Sequence, residues 1–232
     1  MSFIEQKARE VSRPTLESVG RALARWHISP DAVTYLGLVL TGVVALLLAL
    51  GYIRWAGLAY IFAAVCDALD GTLARVSGRG SRFGAFLDST IDRFEESIVF
   101  LGLIIYYARV GGPVEIPLLL IATFASLMVS YTKARAEGLG VPCNVGILSR
   151  PPRVAILIVA LILDQVLIGL IILGSLSLFT SFQRMYHVWR ATGGQAAGWA
   201  LPPQPYVAPG LAVAEAPAEA EVDRTSASVR DL

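Results

Sequence analysis

Charge is what this sequence has least of. Only 16% of its 232 residues are Asp, Glu, Lys or Arg, against about 25% in an ordinary soluble domain. So few charges cannot cover a water-facing surface, which excludes a soluble globular enzyme. Nor is there an excess of one sign, since 19 basic and 18 acidic residues leave a formal net charge of +1. Neutralising nucleic-acid phosphates needs a basic excess, so no nucleic acid is expected as a partner. Cysteine is scarce, and Cys66 and Cys143 alone build no disulfide framework. The two histidines, His27 and His187, stand near Trp26 and Trp189 with no second His or Cys at ligand spacing. They read as residues at headgroup level. Residues 1–27 hold no apolar run, so no cleavable secretory signal is expected.

Long apolar runs are abundant. The chain is 55% hydrophobic with a mean hydropathy of +0.63, and a bilayer span needs roughly 20 apolar residues. Residues 31–51, 55–76, 83–110 and 116–136 each supply one such run. The stretch 152–189 is too long for one span and is interrupted only by Asp164-Gln165, so it reads as two helices with a tight turn there. The expected fold class is an all-α membrane protein with six transmembrane helices. Basic residues mark the sides. Lys7, Arg9, Arg13, Arg21, Arg25, Arg75, Arg79, Arg82, Lys133, Arg135, Arg150, Arg153, Arg184 and Arg190 fall on one side, and only Arg54 and Arg109 on the other. That asymmetry predicts a multi-pass protein of the cell (inner) membrane with both termini cytoplasmic.

Three segments follow. Residues 1–27 mix charges with Phe3, Ile4, Val11, Leu16, Val19, Leu23 and Trp26, the pattern of an amphipathic helix lying on the interface. Residues 28–190 form the helical domain. Residues 191–232 are rich in Ala and Pro, with five acids against two bases, and read as a disordered acidic tail.

The chemistry concentrates in CDALDGTLARVSGRGSRFGAFLDSTIDR, residues 66–93. Four carboxylates sit near the ends of two otherwise apolar spans, and ionisable groups there are costly and usually functional. Asp67 and Asp70 are three apart, Asp88 and Asp92 four apart, so each pair projects from one helix face. The short connection at 77–82 makes the two helices antiparallel neighbours whose pairs can face each other. Four converging carboxylates repel in a low dielectric. Arg75 and Arg93 could neutralise part of that charge, while an all-oxygen cluster suits the hard divalent cations Mg²⁺ or Mn²⁺. Two such ions shared between bridging carboxylates are suited to in-line phosphoryl displacement. Gly71 and Ala74 share the face of Asp67, and Gly84 that of Asp88. Small residues there allow either close helix packing or the approach of a phosphorylated ligand.

Asp67-x2-Asp70-Gly71-x2-Ala74-Arg75-x8-Gly84-x3-Asp88-x3-Asp92 resembles the signature of the CDP-alcohol phosphotransferases, with all eight fixed positions filled. The resemblance covers about residues 28–190. It implies a six-helix membrane fold and transfer of a phosphatidyl group from CDP-diacylglycerol to an alcohol, with release of CMP. It further implies one metal on Asp67, Asp70 and Asp88, a second on Asp70, Asp88 and Asp92, and Asp92 as the general base. The CDP moiety would meet Gly71, Arg75 and Ser81, with Asp31 and Thr34 contributing from the first span. Asp31 and Thr34 serve equally well as a helix cap. A homodimer among membrane lipids is implied by the family alone.

Three basic clusters border the carboxylates: Lys133 with Arg135, Arg150 with Arg153, and Arg184. Any one of them is explained by headgroup contact, but together they favour an anionic acceptor, since arginine clamps phosphate well. The runs SYTKARAEGLG (130–140), VGILSRPPR (145–153) and QRMYHVW (183–189) resemble the actinobacterial phosphatidylinositol phosphate synthases. That subgroup implies inositol phosphate as acceptor, its phosphate bound by Lys133, Arg135, Arg153 and Arg184. Where the subgroup tends to carry Glu, this chain has Ser149. The alternative within the class is a phosphatidylglycerophosphate synthase using glycerol 3-phosphate. Further off lie a Mg²⁺-dependent membrane prenyltransferase, which would release pyrophosphate, and a cation transporter, which would hold its acids near the midplane.

Overall fold

The computed structural model describes residue 14 and residues 16–26 and 28–193. Every regular element among them is an α-helix. A helix over 16–25 (α1) precedes α2 (Pro30–Ala49), α3 (Ile53–Ser77), α4 (Arg82–Val110), α5 (Glu115–Gly138), α6 (Arg150–Ile162) and α7 (Val166–Ala191).

Local chemistry sets the boundaries. Ser29, in an extended conformation, accepts a hydrogen bond from Ala32 N at 3.2 Å, and Pro30 opens α2 behind it, a pairing of cap and pre-set φ suited to a helix start. Asp31 is therefore inside the helix and is not its cap. Ser81 does the same for α4 by accepting from Gly84 N at 2.8 Å. α3 closes at Gly78, whose φ of +66° is the left-handed conformation that ends helices. The long apolar stretch near the C-terminus splits as its sequence suggests, at a turn where Asp164 takes φ +59° and faces Arg54 at 3.5 Å.

Short connections make successive helices antiparallel, so the starts of α2, α4 and α6 share one end with the finishes of α3, α5 and α7. Small residues let these helices approach closely, as is usual in membranes. A Cβ on Gly102 of α4 would lie 2.5 Å from the Ala45 carbonyl oxygen of α2, and one on Gly57 of α3 would lie 2.9 Å from Leu161 of α6. Around these crossings Val44, Leu48, Ala56, Val99, Leu103, Leu119, Leu161 and Leu170 form the buried core. The outer faces are apolar too, with Trp55 (67% exposed), Phe62, Phe94, Phe124 and Phe182 pointing away from the bundle. An apolar exterior of this extent belongs in lipid, and the chain is an integral membrane protein.

Among the described residues, four helices can cross a bilayer by length and composition: α2, α3, α5 and α7. α4 is longer but holds the charged run in its first half. α6 has only 13 residues. Of the segment expected to lie amphipathically on the interface, residues 1–13, 15 and 27 fall outside the described residues. Its helical part rests Gly20 on the end of α3, where a Cβ would lie 3.2 Å from Val76. The expected tail lies outside the described residues from 194 onward.

Candidate functional site

α3 and α4, joined by residues 78–81, bring their aspartates together. Oxygen atoms of Asp67, Asp70 and Asp88 all lie within 4.8 Å of one another, as do those of Asp67, Asp92 and Glu95. Asp67 belongs to both groups. Asp92 is thus grouped with Asp67 and Glu95, where the sequence pointed to Asp70 and Asp88.

Asp70 is almost fully buried at 3% exposure and is held from two sides. Thr34 of α2 donates its hydroxyl to Oδ2 at 2.6 Å, and the backbone N–H of Gly71 reaches Oδ1 at 2.5 Å. Thr34 therefore orients the Asp70 carboxylate and is not the cap of α2.

The neutralising cation is not the one expected. Arg75 folds back on its own helix, donating from Nε to the Gly71 carbonyl and from Nη2 to Thr72 Oγ1, both at 3.1 Å. Arg93 donates to the Ser89 carbonyl and stays 4.0 Å from Asp92 Oδ2. Arg150, the first residue of α6, takes their place. Its Nη1 lies 2.5 Å from Asp67 Oδ2 and 2.6 Å from Asp92 Oδ1, and its Nη2 lies 2.7 Å from Glu95 Oε2. The contacts to Asp67 and Glu95 are directed hydrogen bonds. Asp92 Oδ1, though buried, has no hydrogen-bond partner, so charge alone links it to Arg150.

One turn along α6, Arg153 forms a fork with Glu96, Nε to Oε1 at 2.9 Å and Nη2 to Oε2 at 3.0 Å. Arg153 is 2% exposed, so this is a buried pair. Glu95, Glu96 and Arg150 were not among the expected site residues. The signal was present in the spacing, for Glu95 stands three after Asp92 and seven after Asp88, on the same helical face.

The Asp67–Asp70–Asp88 set fits a hard divalent cation. Its donors are all carboxylate oxygens, converging to within the spread that such an ion bridges. Among the described residues, no Lys or Arg comes within ion-pair distance of Asp70 or Asp88, so their charge lacks a side-chain counterion.

Beside this set opens a cavity of about 180 Å³ walled by Asp31, Thr34, Asp70, Gly71, Ser81 and Asp88. Arg75 is not in the wall; Arg79 is. A Cβ on Gly71 would meet nothing within 4 Å, whereas one on Gly84 would lie 3.0 Å from Ser81 Oγ and 3.4 Å from Asp31 Oδ1. Gly71 leaves open space and Gly84 serves close packing.

The four basic residues expected at the acceptor differ in setting. Lys133 pairs with Glu137 at 3.7 Å, both about half exposed, and Arg135 is exposed near the end of α5. Arg153 is spent on Glu96. Arg184 of α7, 6% exposed, donates from Nε to the Val145 carbonyl at 3.0 Å and from Nη1 to that of Val129. Those acceptors are neutral, so its charge is not cancelled. Val129 lies one turn before Lys133 on α5.

A model of the CDP-alcohol phosphatidyltransferase family matches residues 27–189. The chain is 35% identical over 195 residues to the phosphatidylinositol phosphate synthase of Mycobacteroides abscessus, covering 80% of this chain and 89% of that one. It is 35% identical over 181 residues to the archaetidylinositol phosphate synthase of Pyrococcus horikoshii, covering 78% and 94%. The crystal structure of Mycobacterium tuberculosis phosphatidylinositol phosphate synthase with CDP-DAG bound superposes with a TM-score of 0.70 at 32% identity, covering 75% of this chain and 93% of that one. A structure of that enzyme with manganese and citrate gives 0.68 at 32% identity, covering 75% and 88%.

Proposed function

The chain belongs to the CDP-alcohol phosphatidyltransferase family, and from that premise we propose that it transfers a phosphatidyl group from CDP-diacylglycerol to inositol phosphate, releasing CMP. The chain is a phosphatidyltransferase by family. The observation that carries the reading is the convergence of Asp67, Asp70 and Asp88 beside a cavity that Asp70 and Asp88 wall together with Asp31, Thr34, Gly71 and Ser81. Such a site offers carboxylates to a cation on one side and space with polar walls to a nucleotide diphosphate on the other. The two similar synthases differ in their lipid but share inositol phosphate in their names, which supports that acceptor here.

In this reading Asp67, Asp70 and Asp88 would hold one divalent ion, Mg²⁺ or Mn²⁺, and Asp92 would serve a second. When bound, such ions neutralise the diphosphate and stabilise charge on the phosphoryl oxygens. Gly71 lets the CDP moiety approach the helix backbone, and Ser81 and Asp31 line its path. Arg75 joins them by swinging off the Gly71 carbonyl. Asp92, whose Oδ1 meets Arg150 at 2.6 Å without a directed hydrogen bond, accepts the proton of the acceptor hydroxyl as the new phosphodiester forms. Arg184 and Lys133 attract the acceptor phosphate, assisted by Arg135, while Arg153, paired with Glu96, takes part only if that pair opens.

The same reading has six helices, α2 to α7, crossing the cell membrane, with both termini and the carboxylates on the cytoplasmic side. The placement of nearly all basic residues at that end supports it. The enzyme acts as a homodimer by analogy with its family. Purified protein supplied with labelled CDP-diacylglycerol and one acceptor at a time tests the function. Inositol phosphate should yield a charged phospholipid and CMP, whereas incorporation with glycerol 3-phosphate alone would make it a phosphatidylglycerophosphate synthase.

A further inference from the structure

Two groups of carboxylates could receive a cation, and they are not equivalent. In the Asp67–Asp70–Asp88 group a guanidinium reaches only Asp67, whereas in the Asp67–Asp92–Glu95 group it reaches every member. Arg150 touches all three of its members at 2.5–2.7 Å. We propose that Arg150 is a built-in competitor of the second divalent ion. It fills the charge requirement of Asp67, Asp92 and Glu95 until an ion draws Asp92 away, and it remains anchored on Asp67 and Glu95 when that happens.

The bonding pattern sets this order of release. Directed hydrogen bonds hold Arg150 to Asp67 and Glu95, and charge-assisted bonds of this kind are the strong ones. Asp92 contributes only a charge contact, its Oδ1 lacking a hydrogen bond. It is the member that leaves at least cost. Glu95 is the complementary anchor. It is buried on α4 one turn beyond Asp92 and accepts from Arg150 Nη2 at 2.7 Å, so it holds the guanidinium when Asp92 moves. Arg150 Nε, also buried and without a hydrogen-bond partner, shows that the guanidinium is not locked by every donor it has. The result is a site with one position open to an ion and a second that an ion must win from a side chain. Arg150 is thereby a positioning residue for Asp92.

The inference rests on the divalent-ion reading above and is tested by Mn²⁺ binding to the detergent-purified full-length chain without substrate, followed by electron paramagnetic resonance. The variants are Arg150→Gln, Arg150→Lys and Arg93→Gln, and thermal unfolding is measured with and without Mn²⁺. Wild type should bind one Mn²⁺ distinctly tighter than a second. Arg150→Gln should tighten the second site on the order of tenfold, the scale of one charge contact removed at this distance. It should also lower the unfolding temperature of the ion-free protein and regain it with Mn²⁺. Arg93→Gln removes the same charge at the longer distance of 4.0 Å from Asp92 and should shift the second site far less. Arg150→Lys keeps the charge and should stay near wild type, so the comparison survives if the glutamine variant folds poorly. Equal or weaker second-site binding in Arg150→Gln, or an equal gain in Arg93→Gln, would overturn the proposal. Absence of Mn²⁺ binding in every variant would instead overturn the divalent-ion reading itself.

Discussion

The hydroxyl of Thr34 on α2 donates to Oδ2 of Asp70 on α3 at 2.6 Å, so a residue of the first apolar run sets the direction of a carboxylate 36 positions later. Partners that orient a ligand typically contribute about 10–100-fold to metal affinity or activity. Thr34→Val should therefore lower Mn²⁺ affinity and turnover by about tenfold, while Thr34→Ser should restore both. A valine variant with unchanged metal affinity would reduce Thr34 to packing.

Asp92 is the proposed base, and a general base contributes typically 10²–10⁴-fold. Asp92→Asn should cost about that factor in kcat and leave binding of CDP-lipid largely intact. Substantial residual turnover, followed by CMP release, would move the base elsewhere.

Gly71 and Gly102 sit in the middle of helices but should respond oppositely. A Cβ on Gly71 meets only open space, and replacing a helical glycine by alanine stabilises by up to about 1 kcal/mol. Gly71→Ala should leave thermal stability equal or higher while raising KM for the CDP-lipid. Gly102→Ala drives a methyl toward the Ala45 backbone and should destabilise the fold by about 1–3 kcal/mol, as overpacking does. Unfolding curves and substrate titrations on the two variants separate the roles.

Glu96 and Arg153 form a buried fork, and removing one partner of such a pair leaves an uncompensated charge at a cost of about 3–5 kcal/mol. Glu96→Gln should lower the unfolding temperature strongly and free Arg153. Replacing both by Met should recover much of the loss in stability without recovering activity. A mild single variant would mean that water reaches the pair.

Chelation should stop turnover reversibly. Treatment with EDTA should abolish CMP release, and Mg²⁺ or Mn²⁺ should restore it. Activity persisting in excess chelator would remove the need for an ion. Deleting residues 194–232 should leave specific activity nearly unchanged under the same assay.

The helices were readable because their cause is local. Apolar runs of the right length and the break at Asp164 each act within a few residues, whereas the cap of α2 is Ser29 and not Asp31 or Thr34. The faces of Asp67, Asp70, Asp88 and Asp92 were readable for the same reason, because helical periodicity alone decides them. Arg150 was not. Sequence placed it among several basic residues at the membrane face, and its partners lie 55 to 83 positions away. Only the crossing of α6 with α3 shows that its guanidinium enters the acidic cluster. Arg153 was misplaced in emphasis for the same reason: its charge is spent on Glu96, a residue that reads in the sequence as one more acid beside Asp92.

The brevity of α6 fixes a depth. Thirteen residues rise about 20 Å, whereas the hydrocarbon layer is about 30 Å thick. α3, beginning from the same far end, continues for ten residues past Asp67, roughly another 15 Å. In the proposed orientation the acidic cluster would lie below the ends of its longer neighbours, at the floor of a well. A double-tailed substrate can dip its headgroup into such a well without lifting its chains from the leaflet, while a water-soluble acceptor descends from the rim.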